Sequence, residues 1–512
     1  MAHRHVGILI IATTFACTTW GAAADGPNEC AKLADQKIEN ANLLSSTVIP
    51  ASDDLPEYCR VLGYVRPAIN FEVRLPTENW NGKFYMAGCG GWCGRLQPDR
   101  PGFTNAMNHG LRRNYAAVTM DGGHWGLGFT DLRWAHVKDP IARFDFEQRA
   151  VTETARVSKE IVGAYYGKLP EKSYFAGCSN GGRQAHMEAW KYPKDFDGII
   201  SGAPWLNAAG LQTAGLWNIR ANTDADGTAV LDPSKLSMIG EAVYDACAGK
   251  DGLIEKPDQC AFEPESLECN GVNGPECLTT AEVQTLNKFY KGPTTSDGVQ
   301  LYPGIPLGSA PYWSFWLGLE NEQAWKENKS AWIDELHYYG FSQDPGPEYD
   351  VADFDFDKDP PQITGYKDLE AGGTDLSEFQ ERGGKLLIYH GLADPLLVAE
   401  ATRQWYDLMM ADTGDSETTS DFARLFLVPG MDHCGIQSDP GVGHAGFDPL
   451  PALEKWVEEG VAPESIIMTK THGDNSDVEW TRPVCAYPSV AEYAGSGGPS
   501  EAENWRCVGP YP

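Results

Sequence analysis

Six short apolar runs, which alternate with helical stretches, constrain the fold of this chain more than any other feature. Each run closes on glycine, aspartate or proline, as do buried strands of a parallel sheet with functional loops at their carboxyl ends. The predicted strands are residues 83–87, 116–120, 173–177, 198–201, 385–389 and 424–428. Helices are predicted over residues 147–166 and 182–190. The sequence therefore predicts an α/β fold with a doubly wound sheet.

This alternation of strands and helices is lost between residues 205 and 373. The stretch contains four cysteines, many turn residues and the aromatic cluster 312–316. We interpret it as a lid domain, residues 205–373, inserted into a catalytic domain formed by residues 25–204 and 374–512. The aromatic cluster has two interpretations, the core of the lid or a wall of a substrate site.

The first 24 residues have the layout of a secretory signal peptide. A basic start is followed by an apolar run over residues 6–15 and by small residues up to Ala24. The apolar run is shorter than the roughly 20 residues that a membrane-spanning helix needs. We therefore predict a secreted or periplasmic protein without a membrane anchor.

The chain is strongly acidic, because 72 acidic side chains oppose 40 basic ones and give a formal charge of −32. Such a surface repels nucleic acid and anionic lipid. We expect neither nucleic acid nor a membrane as a partner, and the oligomeric state is left open.

The cysteines predict disulfides rather than a metal site. Of the 13 cysteines, only Cys17 lies in the predicted signal peptide, which leaves an even number in an oxidising compartment. Their spacing lacks the paired Cys-x-x-Cys arrangement of a zinc site. Zinc is therefore not expected.

Ser179 lies in a Gly-x-Ser-x-Gly segment, residues 177–181, between a predicted strand and a predicted helix. A serine exposed on such a strained strand-to-helix turn forms a nucleophile elbow. The motif alone is weak in a glycine-rich chain, and the strand and helix on either side strengthen it. A serine hydroxyl becomes a good nucleophile only when a base removes its proton and an acid orients that base.

Two later loops supply the base and the acid. Asp394 and His433 each follow a predicted strand, in that order. Serine, then aspartate, then histidine is the order of the α/β-hydrolase fold. The alternatives are His390 as the base and Asp432 as the acid, or Asp394 as a turn former with a solvated His433.

Cys178 immediately precedes Ser179, and Cys434 immediately follows His433. A disulfide holds its two Cα atoms about 4.4 to 6.8 Å apart. A bridge between these cysteines would therefore hold the serine and the histidine within reach of each other; the alternative is two unrelated cysteines.

An acyl-transfer site also needs hydrogen-bond donors for the developing oxyanion. The backbone N–H of Asn180, just after the nucleophile, is the first candidate donor. The second should come from the glycine-rich loop after the strand 83–87, where Gly90 and Gly91 are the candidates, unless this loop is a plain turn.

With these residues identified, the chain resembles the tannase and feruloyl esterase family, which includes bacterial hydrolases of small terephthalate esters. The resemblance extends over nearly the whole chain after the signal peptide. The Cys-Ser and His-Cys pairs are its most specific elements. It depends on the segments 177–184, 201–204, 390–395, 430–434 and 482–485.

The resemblance implies a large lid over the pocket and cleavage of esters of hydroxycinnamic, gallic or related aromatic acids. The lids of this family carry a calcium loop, Cys-Asp-x-x-Asp-Gly-x-x-Asp-Gly. Here the segment from Cys247 to Leu253 is shorter and keeps only Asp251 of those carboxylates. Calcium takes six to eight oxygen ligands, so we expect neither calcium in the lid nor any required cofactor. The acidic run 353–359 has Lys358 where a calcium loop needs glycine, and we interpret it as a solvated edge.

Within this resemblance, sequence order and proximity favour three further disulfides, Cys247 with Cys260, Cys269 with Cys277, and Cys485 with Cys507. Four other cysteines then pair among themselves in one of three ways. They are Cys30, Cys59, Cys89 and Cys93.

The sequence thus predicts a serine esterase that acts on small aromatic esters, with Ser179 as nucleophile, His433 as general base and Asp394 as the orienting acid. The alternatives are a hydrolase of terephthalate monoesters, a serine hydrolase that cleaves amides, and a non-catalytic binding protein. The last is disfavoured because no member of the triad is missing.

Overall fold

The computed structural model describes Met1 and residues 26–100, 106–127, 130–136, 139–472 and 477–510. Apart from Met1, the predicted signal peptide, residues 1–24, lies outside the described residues. Within the described part of the chain, every helix is too short or too polar to cross a bilayer.

A nine-stranded sheet forms the centre of the fold, in the order β1-β2-β3-β5-β4-β6-β7-β8-β9. Strands β4 to β9 run parallel to one another, whereas β1, β2 and β3 extend one edge in antiparallel fashion. Two small hairpins, β10-β11 and β12-β13, follow near the carboxyl terminus. The strands are β1 (Ala41–Ile49), β2 (Tyr58–Val65), β3 (Ile69–Pro76), β4 (Lys83–Ala87), β5 (Ala116–Met120), β6 (Lys172–Cys178), β7 (Gly198–Gly202), β8 (Lys385–Gly391), β9 (Ala423–Val428), β10 (Ser465–His472), β11 (Asp477–Cys485), β12 (Val490–Tyr493) and β13 (Trp505–Val508).

Helices connect the parallel strands. Both predicted helices are present. The helix predicted over residues 147–166 is α5, which follows a π-helical turn, Asp145–Arg149, and the helix predicted over residues 182–190 is α6. The α-helices are α1 (Gly26–Lys32), α2 (Met107–Leu111), α3 (Arg133–His136), α4 (Pro140–Phe144), α5 (Ala150–Tyr166), α6 (Asn180–Lys191), α7 (Ala208–Ala221), α8 (Leu236–Cys247), α9 (Thr280–Lys291), α10 (Trp313–Trp316), α11 (Glu322–Glu335), α12 (Ser377–Glu381), α13 (Ala399–Thr413), α14 (Ser416–Ser420) and α15 (Leu450–Glu459).

All six predicted strands are present in the sheet, as β4 to β9, with ends within two residues of those predicted. They form because their residues are almost all buried and apolar; β5, for example, is buried throughout. The predicted α/β architecture is confirmed. Because parallel strands end on one edge of the sheet, the loops after β6, β8 and β9 meet there.

The antiparallel strand β3 carries a buried charged cluster. Arg74 of β3 is 2% exposed and pairs with Glu72 at 2.7 Å, while its guanidinium also donates to Asn108 at 2.6 Å. Buried charges are tolerated only when paired and hydrogen-bonded in this way. The cluster links β3 to α2, and so joins the antiparallel edge to the parallel sheet.

The connection between β7 and β8, residues 203–384, includes the stretch 205–373, which we call the insertion. The connection contains α7 to α12 and two disulfides, Cys247–Cys260 and Cys269–Cys277, as predicted. The predicted pair Cys485–Cys507 is also present, and joins β11 to β13.

Candidate active site

Ser179 lies at the turn between β6 and α6, with φ of 63° and ψ of −123°. A non-glycine residue rarely takes a positive φ, so this backbone is strained. Neighbouring glycines allow the turn, because a Cβ at Gly177 would lie 2.5 Å from the carbonyl oxygen of Gly181, and one at Gly182 would lie 2.3 Å from that of Gly202. The local structure is a nucleophile elbow.

Asp394 and His433 lie on the loops after β8 and β9 and contact each other directly. The distance from Nδ1 of His433 to Oδ2 of Asp394 is 2.6 Å. Both side chains are buried, and Ser179 is 8% exposed. Because a carboxylate only accepts, Nδ1 carries the proton, and the neutral imidazole keeps Nε2 as the basic nitrogen.

Four donors hold the Asp394 carboxylate. Besides His433, these are the backbone N–H groups of Leu396 and Leu397, each 2.9 Å from Oδ1, and Nε2 of His390, 3.2 Å from Oδ2. Burial raises the pKa of Asp394, but the positive charge that His433 bears when it is protonated and the hydrogen bonds from both histidines outweigh it and lower the pKa to about 2. Asp394 is therefore ionised at any pH well above 2, and it forms the predicted turn as well.

The structure places the two rival residues differently. Both ring nitrogens of His390 are occupied, Nδ1 by the Thr402 hydroxyl at 2.9 Å and Nε2 by the Leu397 carbonyl oxygen and Asp394. Asp432 accepts from the Trp316 indole at 2.9 Å and from the backbone N–H of Gln437. Burial raises the pKa of Asp432 to about 6, although the Trp316 hydrogen bond opposes this. Neither rival takes the place of Asp394 or His433 in this arrangement.

The disulfide Cys178–Cys434 joins the serine loop to the histidine loop. The two cysteines are 256 residues apart in sequence and their Cα atoms are 6.0 Å apart. Both are buried, with Ala203 packed beside them. The predicted bridge is thus present, and it covalently fixes the separation of the segments that carry Ser179 and His433.

Replacing Cys178 and Cys434 together with serine should lower kcat/KM for the ester hydrolysis that the sequence predicts about 10- to 100-fold, because misplacing a reacting group by about 1 Å costs this much. The free energy of unfolding should fall by up to about 5 kcal/mol, since the bridge closes a long loop. Initial rates and denaturant unfolding curves measure both effects. The matched control is Cys269→Ser with Cys277→Ser, which opens a bridge spanning only eight residues. Equal losses in the two double variants would contradict a special role for Cys178–Cys434.

The glycine-rich loop after β4 is fastened to α6. The disulfide Cys89–Cys93 closes it, which settles the open pairing, since Cys30 joins Cys59. The Asn180 amide donates to the Cys89 carbonyl oxygen at 3.1 Å, and the Gln184 side chain accepts from the Cys89 backbone N–H at 3.1 Å. These side-chain anchors lie within the conspicuous segment 177–184, but nothing in the sequence indicates that they hold this loop.

A cavity of about 290 Å³ opens beside Ser179 and contains Gly91 and Asn180 among its lining residues, but not Gly90. Of the two candidates, Gly91 is therefore the better placed. Aromatic side chains dominate the walls; they are Trp92, Trp205, Phe315, Trp316 and Trp332. A larger cavity of about 660 Å³ lies against His390 and does not include Ser179 in its lining.

The aromatic cluster 312–316 divides between the protein interior and the cavity beside Ser179. Tyr312 and Trp313 are buried, and the Tyr312 hydroxyl donates to the Gly430 carbonyl oxygen at 2.6 Å. Phe315 and Trp316 instead line the cavity, and the Trp316 ring meets the His433 imidazole edge-on at 4.8 Å. The insertion therefore packs directly on the histidine loop.

Asp251 of the shortened loop forms an ion pair with an arginine from β11. The guanidinium of Arg482 lies 2.8 Å from Oδ2 of Asp251 and 2.6 Å from Oε2 of Glu255. In the acidic run, Lys358 pairs with Asp355, and Asp357 accepts from the Ser296 backbone. The described residues contain no group of three or more metal-ligating side chains.

Comparison with known proteins identifies the family. The family described as tannase and feruloyl esterase matches residues 55–508. The chain belongs to this family. It is 32% identical to the mono(2-hydroxyethyl) terephthalate hydrolase of Piscinibacter sakaiensis, over 89% of this chain and 85% of that protein. It is 31% identical to a probable feruloyl esterase B-1 of Aspergillus oryzae, over 92% of this chain and 91% of that protein.

The solved structures agree with the sequence relatives. The crystal structure of feruloyl esterase B from Aspergillus oryzae superposes with a TM-score of 0.81 and 29% identity, covering 94% of this chain and all of that one. The tannin acyl hydrolase of Aspergillus niger, at 20% identity, shares the fold, with a TM-score of 0.73 and 94% of each chain covered. The chain is a carboxylic ester hydrolase with the α/β-hydrolase fold, as predicted.

Proposed function

We propose that this hydrolase cleaves esters of aromatic carboxylic acids through an acyl-enzyme formed on Ser179. The observation that carries the proposal is the His433 to Asp394 contact of 2.6 Å, held beside the nucleophile elbow by a disulfide. His433 takes the proton from Ser179 as the hydroxyl attacks the ester carbonyl. It then gives that proton to the leaving alcohol, and a water molecule releases the acid by the same steps.

The oxyanion of each tetrahedral intermediate is stabilised by the backbone N–H groups of Asn180 and Gly91. The N–H of Asn180 belongs to the first turn of α6, where backbone donors have no partner within the helix. Gly91 follows on the loop that Asn180 and Gln184 anchor. Fixed donors of this kind act without reorganisation as charge develops.

The insertion, residues 205–373, serves as a lid, and the protein is secreted or periplasmic. Trp316 and Trp332 of the insertion face the same cavity as Ser179 and Trp92 of the catalytic domain, which supports the lid. Six disulfides support an oxidising compartment. The indole-rich walls favour a flat aromatic acyl group.

A fluorophosphonate ester tests the mechanism directly, because it reacts with an activated serine and stays bound. We expect one adduct per chain, located on the peptide with Ser179 by mass spectrometry, and loss of ester hydrolysis in proportion to labelling. Hydrolysis that persists in fully labelled protein, or an adduct elsewhere, would contradict the proposal.

The substrate class is tested by measuring kcat/KM for methyl ferulate, methyl gallate and mono(2-hydroxyethyl) terephthalate. Each ester is compared with the anilide of the same acid. We expect one of the first two esters to give the highest kcat/KM and the anilides to be far slower. A preference for the terephthalate monoester would select the alternative that the Piscinibacter relative suggests, and rapid anilide cleavage would select an amide-cleaving enzyme.

A further inference from the structure

Glu335 is the final residue of α11 and lines the cavity that contains Ser179. A π-helical turn, Leu336–Gly340, follows it, and such turns often occur at functional sites. No lysine, arginine or histidine lies among the described residues that line this cavity. Among these lining residues Glu335 is the one with an acidic or basic side chain, beside the neutral polar residues Thr130, Ser179, Asn180 and Asn328.

A series of hydrogen bonds through Tyr366 and Gln212 holds the Glu335 carboxyl group. The Tyr366 hydroxyl is 2.7 Å from Oε1 of Glu335 and 2.8 Å from Oε1 of Gln212. The Gln212 amide nitrogen donates to the Trp332 carbonyl oxygen at 2.9 Å, which fixes which end of the amide meets Tyr366. Because Tyr366 is fully buried, water cannot replace these contacts.

The number of protons shared by Glu335, Tyr366 and Gln212 determines whether the Glu335 carboxyl group can present a hydrogen-bond acceptor to the cavity. The Tyr366 hydroxyl has one hydrogen, and the oxygens of Gln212 and Glu335 both stand as acceptors beside it. When Tyr366 donates to Gln212, Glu335 must be protonated on Oε1 and donate to Tyr366. Burial favours this state, since it raises the pKa of Glu335 to about 7, although the Tyr366 contact opposes the rise. In either protonation state, Oε2 is left as an acceptor.

We propose that Glu335 determines substrate specificity by accepting a hydrogen bond from a phenolic hydroxyl on the acyl group. This inference rests on the proposed function, which assigns the cavity to an aromatic acyl group. A substrate whose acyl group carries a carboxylate in place of this hydroxyl would find no cation to pair with. Its carboxylate would meet the acceptor oxygen of Glu335 instead of a hydrogen-bond donor. The pocket therefore selects hydroxylated aromatic acids and rejects terephthalate monoesters.

The test compares para-substituted methyl cinnamates that carry a hydroxyl, a methoxy or a carboxylate group. Hydroxyl and methoxy release electrons to a similar degree, but only the hydroxyl donates a hydrogen bond. In the wild-type enzyme we expect kcat/KM to be about 10- to 100-fold higher for the hydroxyl than for the methoxy ester. The carboxylate ester should be the slowest of the three.

Two substitutions at Glu335 distinguish the effect of losing the acceptor oxygen from the effect of any other change at this position. Glu335→Leu should lower the hydroxyl to methoxy ratio about tenfold or more, because no acceptor remains. Glu335→Gln should keep the ratio within about threefold of wild type, since its amide nitrogen can donate to Tyr366 while its oxygen takes the position of Oε2 and remains an acceptor. The matched control is Glu327→Leu, an exposed position on the same helix, which should leave the ratio unchanged.

A wild-type enzyme that cleaves the carboxylate ester as fast as the hydroxyl ester would overturn the inference without any variant. So would an unchanged ratio in Glu335→Leu, or equal losses in Glu335→Leu and Glu335→Gln. These outcomes differ from a failure of the proposed function, in which no ester is hydrolysed or the fluorophosphonate does not label Ser179.

Discussion

Ser179→Ala will lower kcat for ester hydrolysis by about 10⁶-fold, because the hydroxyl that forms the acyl-enzyme is lost and no other described nucleophile occupies the elbow. The cavity and the donors of Asn180 and Gly91 remain, so the KM of any residual reaction should change little. Stopped assays with product quantified by chromatography measure the residual rate against a buffer blank. Activity above about 1% of wild type would show that Ser179 is not the nucleophile.

Stability provides a second readout for the same position. The positive φ of Ser179 costs of order 1–3 kcal/mol, and alanine at this site keeps that strain. Glycine adopts positive φ freely but loses about 0.5–1 kcal/mol through the greater entropy of its unfolded chain. We therefore expect Ser179→Gly to be inactive yet about 1 kcal/mol more stable than Ser179→Ala in urea unfolding. Equal stability would mean that the strain at Ser179 is no larger than the entropic cost of glycine, about 0.5–1 kcal/mol.

The strands, and the loops that carry Ser179, Asp394 and His433, could be predicted because their signals are local. The parallel strands are continuous apolar runs, and each triad residue lies a few positions after one of them. The antiparallel strands β1 to β3 gave no such signal. Glu72 and Arg74 make β3 look like a surface strand, although the two charges pair in the core. Only the folded structure brings their partners, such as Asn108, beside them.

The walls of the cavity could not be predicted for a different reason. Glu335 lies in a helix rich in exposed acidic and basic residues, and nothing in its local pattern distinguishes it from Glu327. The role that we propose for it depends on Tyr366 and Ser179, which come from distant parts of the chain. The pairing of Cys89 with Cys93 was likewise undetermined, since three connectivities fit the sequence equally well. Long-range packing decides such features, whereas local propensity decides the strands.

Asp394→Asn will lower kcat/KM by about 10⁴-fold at neutral pH, because it reverses the protonation of His433. The backbone N–H groups of Leu396 and Leu397 require an acceptor at Oδ1, so the new amide oxygen takes that side. The amide nitrogen then faces His433 and donates to Nδ1, which forces the proton onto Nε2. Such an imidazole cannot accept a proton from Ser179.

The control for this substitution is Asp432→Asn, which changes the buried carboxyl group next to His433 in sequence. Asp432 contacts Trp316 and not the imidazole nitrogen, so we expect a loss of less than about tenfold. Both variants should remain folded, because each keeps the volume of the aspartate, and near-ultraviolet circular dichroism checks this. If Asp432→Asn lost as much activity as Asp394→Asn, the acid of the site would be misassigned. If Asp394→Asn retained a tenth of wild-type activity, the hydrogen bond of 2.6 Å between His433 and Asp394 would not set the tautomer of His433. The orientation of His433 by the disulfide Cys178–Cys434 would then have to account for catalysis alone.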